Sequence, residues 1–515
     1  MALGFWKRAE ARPDHLALVT PNGEQIPAGE LLARSNRLVH GLRALGLEKG
    51  DNVAVVLENG APMVELYLAV FQAGLYLTPI NHHLAGPEIA YIVEDSDAKV
   101  FVASARFEEA VRKAAGEIRL PESHRFAVGE IPGFRPYAEI SERQPDHLPE
   151  DRSAGAVMNY TSGTTGRPKG VRRKLADLDP DLVGSLFAGF FGMFGVKPED
   201  DNVHLCGSPL YHTAVMMFSG MSLHLGHTLV VMDKWTPERM LELIERYRVT
   251  TSHMVPTQFH RLLLLPEEVR NRYDLSSLRC MIHAAAPCPV DTKRRMLEWW
   301  GPVIYEYYAA TEGGGTLVTP EEWLAHPGTV GRAWPNSEIR ILDDEGRDCP
   351  PGTPGTVYMK LGQNDFEYHK DRKKTEENRR EGFFTVGDMG YLDEEGYLYL
   401  CDRKIDMIIS GGVNIYPAEI ESVLHQMPEI EDVAVFGVPN EDWGEEVKAV
   451  VKPAPGVEAG AELARRILAF AGERLARYKI PKSIDFIDEM PRDPNGKLYK
   501  RKLRDPYWEG RQRAI

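Results

Sequence analysis

The sequence predicts an α/β protein of more than one domain: a large N-terminal domain of α/β sheet subdomains plus a small β-barrel-like subdomain over residues 1–403, and a small α+β C-terminal domain over residues 404–515. Three observations predict it. At 515 residues, 43% of them hydrophobic, the chain is too long for one core. Apolar runs of strand length alternate with helical patterns from residue 28 to residue 318, which implies parallel sheets covered on both faces. After residue 403 the texture changes to short strands and helices in an amount that makes one small domain.

Taken in order, residues 28–45 place Leu31, Leu38, Leu42 and Leu45 on one helical face, and Gly46 and Gly50 bracket the exit. A strand at 53–57, a helix from Pro62 to Phe71 closed by Gly74, a strand at 76–79, a helix at 87–94 and a strand at 99–103 follow. Residues 106–152 are polar and poorly patterned and read as a connection. Residues 182–196 carry Phe187, Phe190, Phe191 and Phe194 on one helical face among glycines. An aromatic core stripe is the favoured reading of that face, and one wall of a hydrophobic substrate tunnel is the other. A second α/β series has strands at 203–205, 228–232, 251–255 and 280–283, with a helix at 237–247. Two of its strand ends carry Pro209-Leu-Tyr-His212 and His283-Ala-Ala-Ala-Pro287, though a histidine in such a place is more often structural than catalytic. Turn-rich segments from Asp343 to Gly396 separate the short β runs of the barrel-like subdomain. The C-terminal order is a turn at 410–412, a helix at 417–426, strands at 433–438 and 447–452, a helix at 462–477 and a strand at 483–487.

One stretch is poorly suited to a core and well suited to a phosphate: Tyr160-Thr-Ser-Gly-Thr-Thr-Gly-Arg-Pro-Lys-Gly170. Gly163, Gly166 and Gly170 allow successive N–H groups to turn toward one point, and Thr161, Ser162, Thr164 and Thr165 add hydroxyl donors. Lys169 adds a mobile positive charge. The spacing is not that of a nucleoside triphosphatase P-loop, since Gly163 and Gly166 are three apart and Lys169 is followed by Gly170. A flexible linker has the same composition. The preceding strand at 156–160, and Pro168 with Lys169 at the end, favour a phosphate loop at a strand end. Further on, Tyr305-Glu-Tyr-Tyr308-Ala-Ala-Thr311-Glu312 offers an aromatic face for a base and a carboxylate for Mg²⁺ beside a triphosphate. Asn495-Gly496 is a turn that presents Lys497.

The net charge of −15 argues against nucleic-acid or anionic-membrane binding, so a polyanionic ligand must meet a local basic patch. The five cysteines, Cys206, Cys280, Cys288, Cys349 and Cys401, have no metal or redox spacing and fit a reducing setting. No signal peptide is read at the start, and residues 213–232 read as helix, turn and buried strand rather than an integral membrane segment. A cytoplasmic location is expected.

These motifs in this order resemble the adenylate-forming superfamily, and in particular its acyl-CoA synthetases and fatty-acid–CoA ligases, from about Leu31 to Arg504. The runs Met407-Ile-Ile-Ser-Gly-Gly-Val-Asn-Ile-Tyr-Pro-Ala-Glu-Ile-Glu421 and Arg477-Tyr-Lys-Ile-Pro481 are similar to the CoA ligases. The resemblance implies an ATP-dependent carboxylate–CoA ligase that forms an acyl-adenylate and then a thioester, with ATP, Mg²⁺ and coenzyme A, and it admits a homodimer. By position it implies that Thr161, Ser162, Gly163, Thr164, Thr165 and Lys169 hold the β- and γ-phosphates. It places Ala285, Ala286, Pro287 and Tyr308 at adenine, Thr311 at the α-phosphate, Glu312 at Mg²⁺, and Asp388 at the ribose with Arg403 nearby. His212, Val255 and Ala284 would line the acid site, and Lys497 would bridge the carboxylate and the α-phosphate. Gly411 and Gly412 match a turn that contacts coenzyme A. The C-terminal domain would be mobile and swing about residues 403–406, with Lys479, Lys482 and Lys500-Arg-Lys502 as candidates for a basic mouth.

Departures from the family pattern are Ile405 at the usual polar hinge position, Ala309 after Tyr308, Ala284 and Ala285 in place of a glycine pair, and Arg172-Arg173-Lys174 after the loop. The expected substrate is a medium- to long-chain or bulky hydrophobic acid, from the phenylalanine stripe and from Met216, Met217 and Phe218. An enzyme that loads a carrier protein, and a non-catalytic nucleotide or acyl sensor, are the alternatives.

Overall fold

Helix Ala61–Ala73 is apolar on nearly every face and is buried along almost its whole length, because a sheet lies on either side of it. A computed structural model describes residues 4–161, 168–198, 201–310, 314–362, 367–370, 376, 379–411, 413–492 and 498–509. The chain forms two units: Met1–Met254 with Pro266–Ile282 and Asn364–Glu377, and Val255–Leu265 with His283–Gln363 and Asn378–Ile515.

In the first unit, six strands make a parallel sheet in the spatial order Arg135–Pro136, Arg125–Val128, Ala98–Ser104, Asn52–Val56, Tyr76–Pro79, Ala156–Val157. In a second sheet Thr251–Met254, Val203–Cys206, Thr228–Val231 and Leu16–Val19 run parallel, and Gln25–Pro27 closes the edge antiparallel. Leu18, Leu229 and Val231 from one sheet and Val53, Val55 and Leu77 from the other enclose helices Ala28–Ala44 and Ala61–Ala73 in a single core. Close approach is built in at Gly220 of helix Thr213–Leu225, where a Cβ would stand 2.1 Å from the Tyr67 hydroxyl. The segment 106–152, expected as a connection, instead supplies helix Glu108–Ala115 and the last two strands at one side of the first sheet, Arg135–Pro136 forming the edge. Val111 and Ala114 are the inward residues of that helix, too few among its charges to mark it in sequence.

The second unit holds an antiparallel sheet of Ser337–Leu342, Gly355–Leu361, Arg379–Arg380, Phe383–Phe384, Asp388–Leu392 and Leu398–Arg403, in the place expected for the barrel-like subdomain. Its C-terminal part is a sheet built on one long hairpin, Ile430–Asn440 paired with Gly444–Pro453, with Ser483–Phe486 parallel beside it. Helices Pro417–Leu424 and Ala461–Arg474 seal that sheet through Ile420, Leu424, Leu463 and Ile467.

Candidate active site

Strand Asn159–Thr161 pairs antiparallel with strand Lys169–Arg172, with Lys169 opposite Thr161. Ser162, Gly163, Thr164 and Thr165 lie outside the described residues, as does the Thr161 side chain. The base of this hairpin is braced. The Tyr160 hydroxyl donates to Asp95 Oδ2 at 2.7 Å, and burial together with that carboxylate holds its pKa well above the usual phenol range. The His369 N–H donates to the Gly170 carbonyl at 2.7 Å, and Lys370 Nζ pairs with Asp97 Oδ1 at 2.9 Å. Lys169 is half-buried. Arg172 stacks its guanidinium 4.6 Å from the Tyr76 ring centre, whose hydroxyl donates to the Arg173 carbonyl at 2.7 Å, so the basic run is used to dock the strand.

His212 is the half-buried residue that opens helix Thr213–Leu225. The loop before it is fixed by Asn59, a buried residue that sequence reasoning missed. Its Nδ2 donates to the carbonyls of Ser208 and Met232 at 2.9 and 3.0 Å, and its Oδ1 accepts from the Leu210 N–H at 2.7 Å. The available signal was a lone asparagine just past an apolar strand, where a side chain can satisfy loop backbone groups. Phe191 and Phe194 behave as core, 0% and 1% exposed and packed edge-on to Phe218 at 5.3 and 5.7 Å, while Phe190 is half-buried. The Phe187 side chain lies outside the described atoms.

In the second unit, strand Ile304–Ala309 carries Tyr308, whose hydroxyl donates to Asp388 Oδ2 at 2.6 Å. Asp388 and Arg403 are directly opposite on adjacent strands, with Arg403 Nε 3.5 Å from Asp388 Oδ1. Three residues far apart in sequence thus form one half-buried cluster, and a carboxylate so held can accept from a vicinal diol while the phenol ring offers a face to a base. Ala284 is buried, whereas Ala285 and Pro287 are exposed and Ala286 is half-buried. Ala285 has φ +75°, a conformation that costs a non-glycine residue about 1–2 kcal/mol. Thr311 and Glu312 lie outside the described residues. Val255 is buried and opens helix Pro256–Leu263, its N–H donating to Gln258 Oε1 at 3.0 Å.

Gly411 has φ +58° and donates its N–H to the Trp443 carbonyl at 2.8 Å; a Cβ there would stand 2.5 Å from Trp443 Cε3. Gly412 and Lys497 lie outside the described residues. The chain before Lys497 is held by Arg492, which grips Asp432 with a two-pronged bond of 2.6 and 2.8 Å. After it, Lys500 Nζ lies 2.9 Å from Glu421 Oε1 with its side chain 11% exposed, and Lys479 sits 2.6 Å from Glu419. Both lysines are paired with carboxylates. Around residues 403–406, Arg504 Nη1 donates to the Ile405 carbonyl at 3.2 Å and pairs with Asp406 at 3.3 Å. Among the described residues there is no group of three His, Cys, Asp or Glu able to hold a metal ion, and no helix long and apolar enough to cross a membrane.

Residues 5–364 match the family model of the AMP-binding enzymes, and residues 419–497 match that of their C-terminal domain. The chain belongs to the AMP-binding enzyme family. This AMP-binding enzyme is 34% identical to a feruloyl-CoA synthase of Amycolatopsis sp over 98% of each chain. It is 33% identical to a long-chain-fatty-acid–CoA ligase of Mycobacterium tuberculosis over 97% of each. Among solved structures, the o-succinylbenzoate CoA synthetase of Bacillus subtilis, in complex with its acyl-adenylate intermediate, superposes with a TM-score of 0.81 at 29% identity, covering 97% of this chain and 98% of that one.

Proposed function

We propose that this AMP-binding enzyme activates a medium- to long-chain or bulky hydrophobic carboxylic acid as its acyl-adenylate and passes the acyl group to coenzyme A. At the coarser level it is an AMP-forming acid–CoA ligase that uses ATP. The observation that carries the reading is the cluster of Tyr308, Asp388 and Arg403, assembled by fold in a chain whose full length matches the family. In it, Tyr308 and residues 284–287 would hold adenine, Asp388 the ribose hydroxyls, and Arg403 would stand beside them. Thr161 to Thr165 and Lys169 would take the outer phosphates, Thr311 the α-phosphate, and His212, Val255 and Ala284 the acid.

The first step brings a carboxylate onto a phosphate, two anions, so neutralising charge as it develops is the main task. Lys497 on its turn would supply it. Mg²⁺ would be held by Glu312 together with the triphosphate's own oxygens, and would add to that neutralisation. The adenylate is an acid anhydride that water would destroy, and the domain from residue 404 would close to exclude water. We further propose that this domain swings about residues 403–406, presenting Lys497 for the first step and the turn at Gly411 and Gly412 to coenzyme A for the second. Ile405 makes no polar latch there, and Asp406, already paired with Arg504, would serve instead. The acid preference is supported by the relatives named for feruloyl and long-chain fatty acids and by the buried Met216 and Phe218 on helix Thr213–Leu225. A cytoplasmic enzyme, alone or as a homodimer, fits this reading.

The test is AMP release by the purified protein with ATP, Mg²⁺ and a panel of fatty, aryl and polycyclic acids, with and without coenzyme A. Release that requires both coenzyme A and a hydrophobic acid supports the proposal. Pyrophosphate release indifferent to coenzyme A would replace it with a carrier-loading enzyme, and silence over the whole panel would favour a sensor.

A further inference from the structure

Next to the proposed adenine wall lies a buried ionic cluster that none of the assigned roles uses. Lys293, on helix Val290–Trp300, is 0% exposed, and its Nζ lies 2.6 Å from Glu306 Oε2. His283 is also fully buried, and its Nε2 approaches the same oxygen at 3.3 Å. Neither ring nitrogen of His283 meets hydrogen-bond geometry among the described residues, so Nε2 faces Glu306 Oε2 as a close polar contact. Apolar rings complete the enclosure: Trp323 lies under the Lys293 ammonium at 4.8 Å, and Phe259 meets His283 edge-on at 5.2 Å. Although burial favours the protonated acid, Lys293 and His283 together bring the Glu306 pKa down to about 2, so the carboxylate stays ionised. Burial holds the His283 pKa below its ordinary value, so the ring is neutral.

The position of each member matters more than its charge. His283 is the last residue before Ala284 and the strained Ala285, and Glu306 lies two residues before Tyr308 on its strand. An ion pair buried this completely is costly to desolvate, and apolar residues of similar volume would serve stability as well or better. Its use is therefore geometric. We propose, on the basis of the adenine-binding role assigned above to residues 284–287 and Tyr308, that Glu306 is a positioning residue for that wall. One carboxylate oxygen ties the end of the strand at His283 to the strand of Tyr308, and Lys293 holds the carboxylate in place. The spacing of the two faces that receive the base is then set from inside the core, and the left-handed backbone at Ala285 is held by it.

The experiment compares AMP affinity by calorimetry and the separate KM values for ATP, acid and coenzyme A in wild type and two double variants. Lys293→Met with Glu306→Leu removes both charges and the polar contact of His283; Lys293→Met with Glu306→Gln removes the charges and keeps a polar group facing His283. The apolar variant is expected to lose about tenfold in AMP affinity and in KM for ATP, equivalent to about 1.4 kcal/mol. Its KM values for acid and coenzyme A should stay near wild type, and the Gln variant should recover most of the lost affinity. Unchanged AMP affinity in the apolar variant, or a Gln variant no better than Leu, overturns the proposal, as does a uniform loss across all three substrates. Should the apolar variant not fold, hydrogen exchange over residues 284–288 of His283→Leu, which breaks the contact with Glu306 and leaves the Lys293–Glu306 pair in place, decides. Faster exchange than wild type supports the tie, and equal exchange overturns it. A wild type that binds no AMP would instead defeat the functional reading on which the proposal rests.

Discussion

Asp388 illustrates how one side chain takes its meaning from neighbours far away in sequence. It accepts from Tyr308, eighty positions earlier, and faces Arg403 across a strand pair. The roles proposed for single residues separate by step. Lys497→Ala should abolish most adenylate formation, a loss of about 3–4 kcal/mol or a hundredfold to a thousandfold in rate, by analogy with an oxyanion donor. Thioester formation from preformed acyl-adenylate should largely survive. Gly412→Trp should do the reverse, blocking the approach of the thiol while adenylate still forms. Half-reactions measured separately by pyrophosphate release and by acyl-CoA yield check both; equal loss in the two steps for either variant would contradict the assignment. The motif residues were legible in sequence because phosphate chemistry demands particular side chains at particular spacings. Asn59 and the Lys293–Glu306 pair were not legible, since a lone polar residue in a core declares its partner only when the chain has folded.

At the scale of an element, helix Pro180–Gly192 was open to two readings, and packing separates them. Phe191 meets Phe218, His204 and His227 at ring distances of 5.3, 6.0 and 6.1 Å with none of its surface exposed. That is a core stripe. Phe191→Ala should therefore cost about 3–5 kcal/mol of stability through the cavity it leaves. The rank order of acids in the substrate panel should not change. A large fall in melting temperature with an unaltered acid profile is expected; a shifted profile without destabilisation would restore the tunnel wall. Strand and helix spans were readable to within a few residues wherever an apolar face repeats, as at Tyr76–Pro79 and Pro237–Tyr247. Helix Glu108–Ala115 escaped because two inward residues do not make a pattern; both strands of the long hairpin were read, but not their extension to Asn440 and Gly444, where Trp443 sits among charges.

At the scale of the whole molecule, acid sensitivity should come from histidines before carboxylates. Burial pushes His204 down to about 3 and His224, His227 and His425 to about 4. In the unfolded chain each takes up its proton near pH 6.5, so below that value the unfolded state binds more protons and stability falls as pH falls. The loss runs from about pH 6.5 to the folded values and then levels, at about 1.4 kcal/mol per unit for each group. Glu306, lowered to about 2, contributes stability that is lost only between the ordinary carboxylate range and that value. Melting temperatures recorded from pH 7.5 to pH 4.5 should drop throughout the interval below 6.5, and a flat profile there would show that these histidines open to solvent without unfolding.

By itself the sequence determined the alternation of strands and helices, the phosphate-binding composition of residues 160–170 and the adenylate-forming character of the motifs. The first two are local properties, written in side-chain period, backbone freedom at glycine and charge, and the third is what the resemblance of the motifs to a family implies. Only the tertiary structure decided which distant residues meet. It put Tyr308, Asp388 and Arg403 in one cluster, paired Lys479 and Lys500 with carboxylates, and placed a buried ion pair beside His283 and the strand of Tyr308. The reason is that a strand's neighbour in a sheet, and a buried charge's partner, are chosen by the packing of the whole core rather than by anything within reach along the chain.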